Sequence, residues 1–364
     1  MKYGLDYNQL INESVKIPFR DAWRMMIDNP ALVKFILKTL YRQKKAAALR
    51  YNLGKKGIHV PPFMITSITS QCNLRCQGCY AQAQHRTPAT ELKEGQLTSL
   101  ISEAAELGIS IIFFAGGEPL IRRDEILRIT RAFPKIIFLL FTNGLLMDGL
   151  FLDQVKYQRN LIPIVSLEGY EAETDARRGH GVYDQVWKIF QEMKRKNIFY
   201  GVSVTVNRVN FPILTGSQFI RELVDIGSRI FFFVEYIPVQ EGTGDLIPAQ
   251  DQRIGLLSLI DRFRAKFPGL FIAFPGDEEK FGGCLAAGRG FIHISPEGNI
   301  EPCPFAPYSD ASLKNLTLKE ALQSEFLAAI RENHQLLGET KGGCALWEKR
   351  DLVFNLLQRS HETK

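Results

Sequence analysis

The sequence is short of everything that would place it in a membrane or in a disulfide-stapled class. No stretch reaches the ~18 continuous apolar residues that a bilayer-spanning helix needs. The opening run Met1-Lys2-Tyr3-Gly4-Leu5-Asp6 lacks the charged and long apolar segments of a signal peptide, so a cytoplasmic protein is expected. Six cysteines in 364 residues, three of them tightly clustered, do not make a secreted disulfide framework; they read as metal ligands kept reduced. No low-complexity tract and no repeat beyond a βα alternation is visible. Acidic residues are missing from Asn29 to Thr90, while Lys34, Lys38, Arg42, Lys44, Lys45, Arg50, Lys55, Lys56, Arg75 and Arg86 fall inside that interval. The net charge of +6 is mild, and no nucleic-acid partner is expected.

What is present is enough apolar material for a large core: 45% apolar and 11% aromatic residues, over a length that suggests about two domains. Leu97, Leu100, Ile101, Ala104 and Ala105 recur at helical spacing over 94–107, with Gly108 as a C-cap. Further helices are expected near 123–132, 183–196, 214–226 and 251–266. Between them lie apolar strand candidates: Phe63 to Thr69, Ile111 to Ala115, Ile136 to Phe141, Ile162 to Leu167, Gly201 to Val206 and Ile230 to Tyr236. Six βα units are too few for an eight-stranded barrel. The expected α/β fold is a partial (β/α)6 TIM-like barrel with a helical N-terminal extension and a small cysteine-containing C-terminal α+β extension.

Directly after the first strand stands Cys72-Asn-Leu-Arg-Cys76-Gln-Gly-Cys79-Tyr80. Three soft thiolates on so short a tether suit an iron–sulfur cluster with one metal position left open. Buried small thiols, or a zinc knuckle completed by His85, are the alternatives. Zinc ordinarily takes four protein ligands in paired spacings, so the spacing favours iron–sulfur.

With this loop the sequence resembles the radical S-adenosylmethionine (SAM) enzymes. The resemblance implies that Cys72, Cys76 and Cys79 hold a [4Fe-4S] cluster whose unique iron is chelated by SAM. Gly78 stands where an aromatic residue near the adenine is usual, and Tyr80 follows instead. At the end of the second strand, Gly116-Gly117-Glu118-Pro119 is similar to the family motif that holds the SAM amino group. Thr142-Asn143-Gly144 ends the third strand. Ser166-Leu167-Glu168-Gly169 ends the fourth and is similar to the ribose-binding segment, with Glu168 where Asp is common. Ser203, Thr205 and Asn207 on the fifth, and Tyr236 on the sixth, complete the expected SAM contacts. Glu235 is the titratable group expected to face substrate, although a salt-bridged strand-end acid reads the same way. Arg177, Arg178 and His180 are expected in a loop after the fourth strand, with Arg178 as a substrate grip.

Beyond a boundary near residue 270 the chain changes character, giving expected segments 1–60, 61–270 and 271–364. A hairpin-like run, Phe291 to Ile300, and Cys284, Cys303 and Cys344 resemble the start of the SPASM or twitch extension of radical SAM enzymes. Three cysteines allow at most one auxiliary iron–sulfur cluster, its fourth ligand being non-cysteine, substrate or absent; buried thiols without metal are the alternative.

The resemblance implies reductive cleavage of SAM to a 5′-deoxyadenosyl radical, hydrogen abstraction from an unactivated C–H bond, a flavodoxin- or ferredoxin-type reducing partner, and an oxygen-poor host. The substrate is a peptide, a metabolite or a lipid. From Pro30, Lys34, Lys38, Arg42 and Lys45 fall on one helical face opposite Leu32, Val33, Ile36, Leu37 and Leu40, so residues 30–56 suit either packing on the barrel or an anionic membrane surface and a lipid substrate. A non-catalytic zinc or electron-transfer protein is the rival from another class; it has no use for the SAM-holding strand ends.

Overall fold

Strands that are apolar at nearly every position leave neither face fit for water, and here both faces are covered. The computed structural model describes residues 33–84, 86–278, 283–337 and 343–362. The six expected strands form as β1 (Phe63–Thr69), β2 (Ile111–Gly116), β3 (Ile137–Thr142), β4 (Leu161–Ser166), β5 (Gly201–Val206) and β6 (Ile230–Glu235). They are joined by β7 (Leu270–Phe274), β8 (Phe291–Ile294) and β9 (Ile300–Glu301) in one sheet of order β7-β6-β5-β4-β3-β2-β1-β8-β9. Every pairing is parallel except β8 with β9. This is the open, partial-barrel arrangement expected from six βα units, lengthened at both edges. β7 was not expected: it begins at residue 270, where the sequence reading ended the barrel. The hairpin expected over Phe291 to Ile300 forms as β8 and β9, and β8 enters the sheet beside β1, with Phe63 opposite Phe291.

Alternate residues divide between two cores. Met64, Ile68, Phe114, Phe138, Leu140, Val165, Val204 and Phe233 join the main core shared with residues of the surrounding helices, among them Glu94–Leu107, Arg123–Ala132, Val182–Arg195, Ser217–Asp225 and Gln250–Lys266. Their neighbours, Ile137, Leu139, Ile162, Ile164, Ile230 and Phe232, form a second core with half-buried Phe113, Phe141, Val234 and Phe274, on the inner face of the curved sheet. Each large apolar side chain so buried contributes about 1.5–3 kcal/mol.

The helix Val33–Gly54 packs on the segments that lead into the strands. Ile36 is buried among Val33, Phe35, Leu40, Phe199 and Leu270. Arg42 Nη1 donates to Pro134 O, Arg50 Nη1 to Gly108 O and Ser110 Oγ to Gln43 Oε1, each at 2.6 Å. These contacts close the N-terminal end of the barrel and leave the carboxyl ends of the strands for a site. The expected division of faces needs one correction, because Leu37 is 55% exposed and Tyr41 61% exposed, outside with Lys34 and Lys38. Pro30, from which that face is counted, and Leu32 lie outside the described residues, as does His85. Among the described residues no helix is long and apolar enough to cross a membrane.

The C-terminal hairpin is pinned to the barrel by a buried polar chain. Ser67 Oγ and His293 Nε2 lie 2.8 Å apart, and His293 Nδ1 lies 2.8 Å from Glu301 Oε2. Arg86 then donates to Glu301 and Glu297, at 2.7 Å each.

Candidate active site

The cysteine loop rides directly on the Gly-Gly turn. Gly117 N donates to Thr69 O and Glu118 N to Gln71 O, both at 2.7 Å. A Cβ on Gly117 would lie 2.0 Å from Gln71 O, and one on Gly116, whose φ is +124°, 2.4 Å from Thr69 O. The two glycines therefore let the backbone bearing Cys72 pass over the end of β2. Glu91 ties down the start of the loop by accepting from Ser70 N and Ser70 Oγ at 2.7 Å.

Cys72, Cys76 and Cys79 line one cavity of about 290 Å³ at the carboxyl ends of the strands. The same wall carries Tyr80, Gly116, Gly117, Glu118, Thr142, Asn143, Ser166, Ser203, Thr205, Arg178, Glu235 and Tyr236, so most of the residues singled out in the sequence converge there. Three do not. Pro119 is buried at the start of a short 3-10 turn, Asn207 caps its own turn by accepting from Val209 N and Asn210 N at 2.9 Å, and Glu168 lies behind the wall.

Glu118 is buried and accepts from Thr142 Oγ1 at 2.7 Å, Asn143 N at 2.8 Å and Leu120 N at 3.0 Å. Burial raises its pKa against the pull of those bonds. Asn143 Nδ2 reaches Asn73 Oδ1 in the cysteine loop at 2.7 Å, so the ends of β2, β3 and the loop form one network.

Glu168 is fully buried and already engaged. Its Oε1 accepts from Arg177 Nη1 at 2.5 Å and from Arg178 Nε and Nη2 at 2.8 and 2.5 Å, and its Oε2 accepts from Thr205 N at 3.1 Å. Burial pushes its carboxyl up, but the two guanidinium charges outweigh burial and its pKa falls. Arg177 and Arg178, expected in a loop, occupy the last turn of the helix Glu171–Arg178. Its signal was present: acidic residues in the first turn and basic ones in the last, matching the helix dipole. His180 has a fully exposed side chain and stands away from the cavity.

Burial pushes the Cys72 thiol up to about 11 and raises that of Cys76, the latter opposed by the charges of Arg178 and Arg177. Such thiols keep their protons until a metal displaces them. Deeper along the cavity the wall is aromatic. Phe63 stacks on Phe113 and on Phe291 with centroids 5.2 Å apart, and Phe141 meets Phe232 edge-on at 5.1 Å.

Cys284, Cys303, Cys344 and Glu278 line the same cavity. Glu235 stands near Cys344, paired with Arg253 Nε at 2.7 Å and accepting from Gly343 N at 3.2 Å. Burial raises the Glu235 pKa while Arg253 lowers it. Arg253 and Glu278 were not singled out in the sequence, since a lone charge on a helix or in a loop carries no local pattern.

The family model described as Radical SAM superfamily matches residues 66–225. That match runs from within β1 to the end of the helix Ser217–Asp225 and takes in the cysteine loop and the ends of β2 to β5. The AdoMet-dependent heme synthase of Methanosarcina barkeri is 26% identical over 334 residues, covering 83% of this chain and 93% of that protein. The mycofactocin maturase of Mycobacterium tuberculosis is 27% identical over 268 residues, 69% of this chain and 66% of its own length. Among solved structures, Streptococcus suis SuiB bound to S-adenosylmethionine aligns with a TM-score of 0.62 at 16% identity over 84% of this chain and 73% of that one. The enzyme anSMEcpe bound to AdoMet and the Cp18Cys peptide also aligns at 0.62, with 16% identity, over 84% of this chain and all of its own. At such identities the structural likeness establishes the shared fold.

The matched family implies a [4Fe-4S] cluster and SAM, and three thiols lining one cavity with the Gly-Gly turn and Glu118 fit that pair. Among the described residues no three His, Cys, Asp or Glu side chains are grouped as ligands of a single ion. The same cavity is lined by the buried acid Glu118 and by Arg178, whose Nε and Nη2 are engaged by Glu168.

Proposed function

We propose that this radical SAM enzyme uses Cys72, Cys76 and Cys79 to hold the cluster at which SAM is reductively cleaved, and removes hydrogen from an unactivated C–H bond of an apolar substrate. The observation that carries this reading is a single cavity shared by the three thiols, Glu118, Arg178 and the aromatic lumen. Bound there, the cluster supplies the electron that splits SAM to a 5′-deoxyadenosyl radical. The chain's own part is positional. Glu118 and Arg178 orient the methionyl end, Ser166, Ser203 and Thr205 face the ribose, Tyr236 faces the adenine, and the phenylalanine wall keeps water from the reacting carbon. Cys284, Cys303 and Cys344 would hold one auxiliary cluster, which would supply an electron acceptor beside the substrate and so favour oxidation, cross-linking or bond formation. Glu235 would serve as the base near that set, and a flavodoxin or ferredoxin type of protein would be the electron donor.

The lumen favours an apolar or aromatic substrate group over a polar one. Relatives named for heme and Fe-coproporphyrin III synthesis make a porphyrin the first class to try. The test is anaerobic reduction of the loaded enzyme with SAM, with and without a porphyrin carboxylate, a fatty acid or an aromatic peptide. 5′-Deoxyadenosine should form, rise with the true substrate class, and vanish in the C72A/C76A/C79A variant. Undiminished product from that variant would overturn the reading.

A second reading concerns the N-terminal helix. Leu37 and Tyr41 are exposed beside Lys34 and Lys38, with Lys45 Nζ 4.8 Å from the Tyr41 ring, a face that suits an anionic lipid surface.

A further inference from the structure

We propose that Gln240 is a positioning residue of the cysteine loop: its side chain draws the Gly78 N–H away from the Cys76 sulfur and so holds the cluster at a lower reduction potential. This rests on the reading above, in which Cys72, Cys76 and Cys79 hold that cluster, and adds to it a residue 162 positions away from Gly78.

Two backbone amides of the loop stand two residues beyond a thiol. Leu74 N, two residues beyond Cys72, donates to the Cys72 Sγ at 3.4 Å, and Asn143 Nδ2 lies 4.0 Å from the same sulfur. Gly78 N, two residues beyond Cys76, donates instead to Gln240 Oε1 at 2.8 Å. The intervening Gln77 N is taken as well, by Arg177 O at 2.9 Å. Among the described residues no N–H is directed at the Cys76 sulfur. Gln240 reaches the loop from the turn that follows β6. Tyr236 Oη donates to Thr243 Oγ1, which donates to Gln240 O, so one hydroxyl ties that turn to the ring packed against Gly78. Gln240 itself is exposed and does not line the main cavity, so its effect reaches the site through the Gly78 amide. An N–H bonded to a cluster sulfur stabilises the more negative, reduced state and raises the potential. Diverting one such donor lowers it, which suits a cluster that must reduce a sulfonium.

The test uses the full-length protein reconstituted anaerobically with iron and sulfide. The loop cluster is the one whose electron paramagnetic resonance signal changes when SAM is added. Redox titration of that signal should give a higher midpoint potential in Q240L than in the parent. Q240E, which keeps an acceptor for Gly78 N and adds a negative charge, should stay at or below the parent. A chelator should strip iron from Q240L at the parent's rate, since a turn that had opened to water would speed the loss. In the metal-free protein, hydrogen exchange of the peptide spanning Gly78 should be faster in Q240L than in the parent or Q240E. Q240M, closer in shape to glutamine, repeats the series if Q240L fails to fold or to load. An unchanged potential in the Leu or Met variant overturns the assignment, even where stability or iron content falls, because the bond then only latches two loops together. So does a rise accompanied by faster chelation, or an equal rise in Q240E. Parent protein with no SAM-sensitive signal overturns the cluster reading itself, and the role of Gln240 with it, a distinguishable outcome.

Discussion

Gly78 and Tyr236 compete for one space: a Cβ on Gly78 would lie 2.1 Å from Tyr236 Oη and 2.6 Å from its Cε2. Position 78 is where the radical SAM loop usually carries an aromatic residue. Here the ring arrives instead from the end of β6, with Tyr236 Oη fixed by Thr243 Oγ1 at 2.6 Å. Gly78 also has φ +66°, so any side chain there adds about 1–2 kcal/mol of backbone strain to the clash.

The first prediction is that G78Y alone loses cluster loading and SAM binding. Removing the competing ring in G78Y/Y236G should recover part of both. A double-mutant cycle on SAM affinity, using G78A, Y236A and the pair, should show a coupling of about 0.5–3 kcal/mol. Additive effects would mean that the two positions are independent.

A different geometry governs G117A. The obstacle to a Cβ is a backbone carbonyl at 2.0 Å, with no flexible side chain to yield, so the cysteine loop itself must shift. We expect the melting temperature to fall and iron retention after anaerobic reconstitution to drop together. A variant that keeps full iron content would show that the loop does not depend on this close approach.

Glu168 is the counter-charge for two guanidinium groups whose side chains are 11% and 9% exposed. E168Q leaves both without it, and removing one partner of a buried ion pair typically costs about 3–5 kcal/mol. Denaturant unfolding of the metal-free protein should show a loss of that order. A change below about 1 kcal/mol would mean that solvent reaches these arginines.

How far the sequence carried this picture depended on whether the determining pattern was local. The cysteine loop and Gly116-Gly117-Glu118 lie within a few residues of one another, and β1 to β6 announce themselves by short apolar runs, so all were legible. Glu168 was legible as a strand-end acid, but its engagement by Arg177 and Arg178 was not, because those arginines were read as part of a loop. The Gly78–Tyr236 exchange joins positions far apart in the chain, and no single-sequence pattern links them. Leu37 shows the limit of helical periodicity, which places a residue on a face without saying what covers that face.

His59 gives a pH dependence. Its Nε2 lies 2.6 Å from Gly288 O, joining the approach to β1 to the C-terminal segment. Burial first, then the Arg331 charge, lowers its pKa below the ordinary 6.5. The unfolded chain therefore takes up a proton that the folded chain resists. Stability is full above about pH 6.5 and falls as pH drops toward the lowered folded value. Thermal melts should show this acid loss in the parent and a flatter profile in H59Q. Equal acid sensitivity in both would assign the loss to other groups.

The last prediction separates docking from membrane attachment for the helix Val33–Gly54. Arg42 donates to Pro134 O, so its charge belongs to the barrel contact, whereas Lys34 and Lys38 are exposed beside Leu37 and Tyr41. K34E/K38E should therefore leave melting nearly unchanged, since neither side chain is buried, while R42E should lower it. If the outer face meets lipid, vesicles rich in anionic lipid should co-sediment the parent at low salt and release it as ionic strength rises, because such charges are screened within ~10 Å at 0.1 M. K34E/K38E should then fail to sediment, each lysine near the surface contributing about 1 kcal/mol. Parent protein that stays in the supernatant at low salt, or a double variant that partitions as the parent does, removes the lipid surface and leaves the helix as the cover of the barrel's closed end.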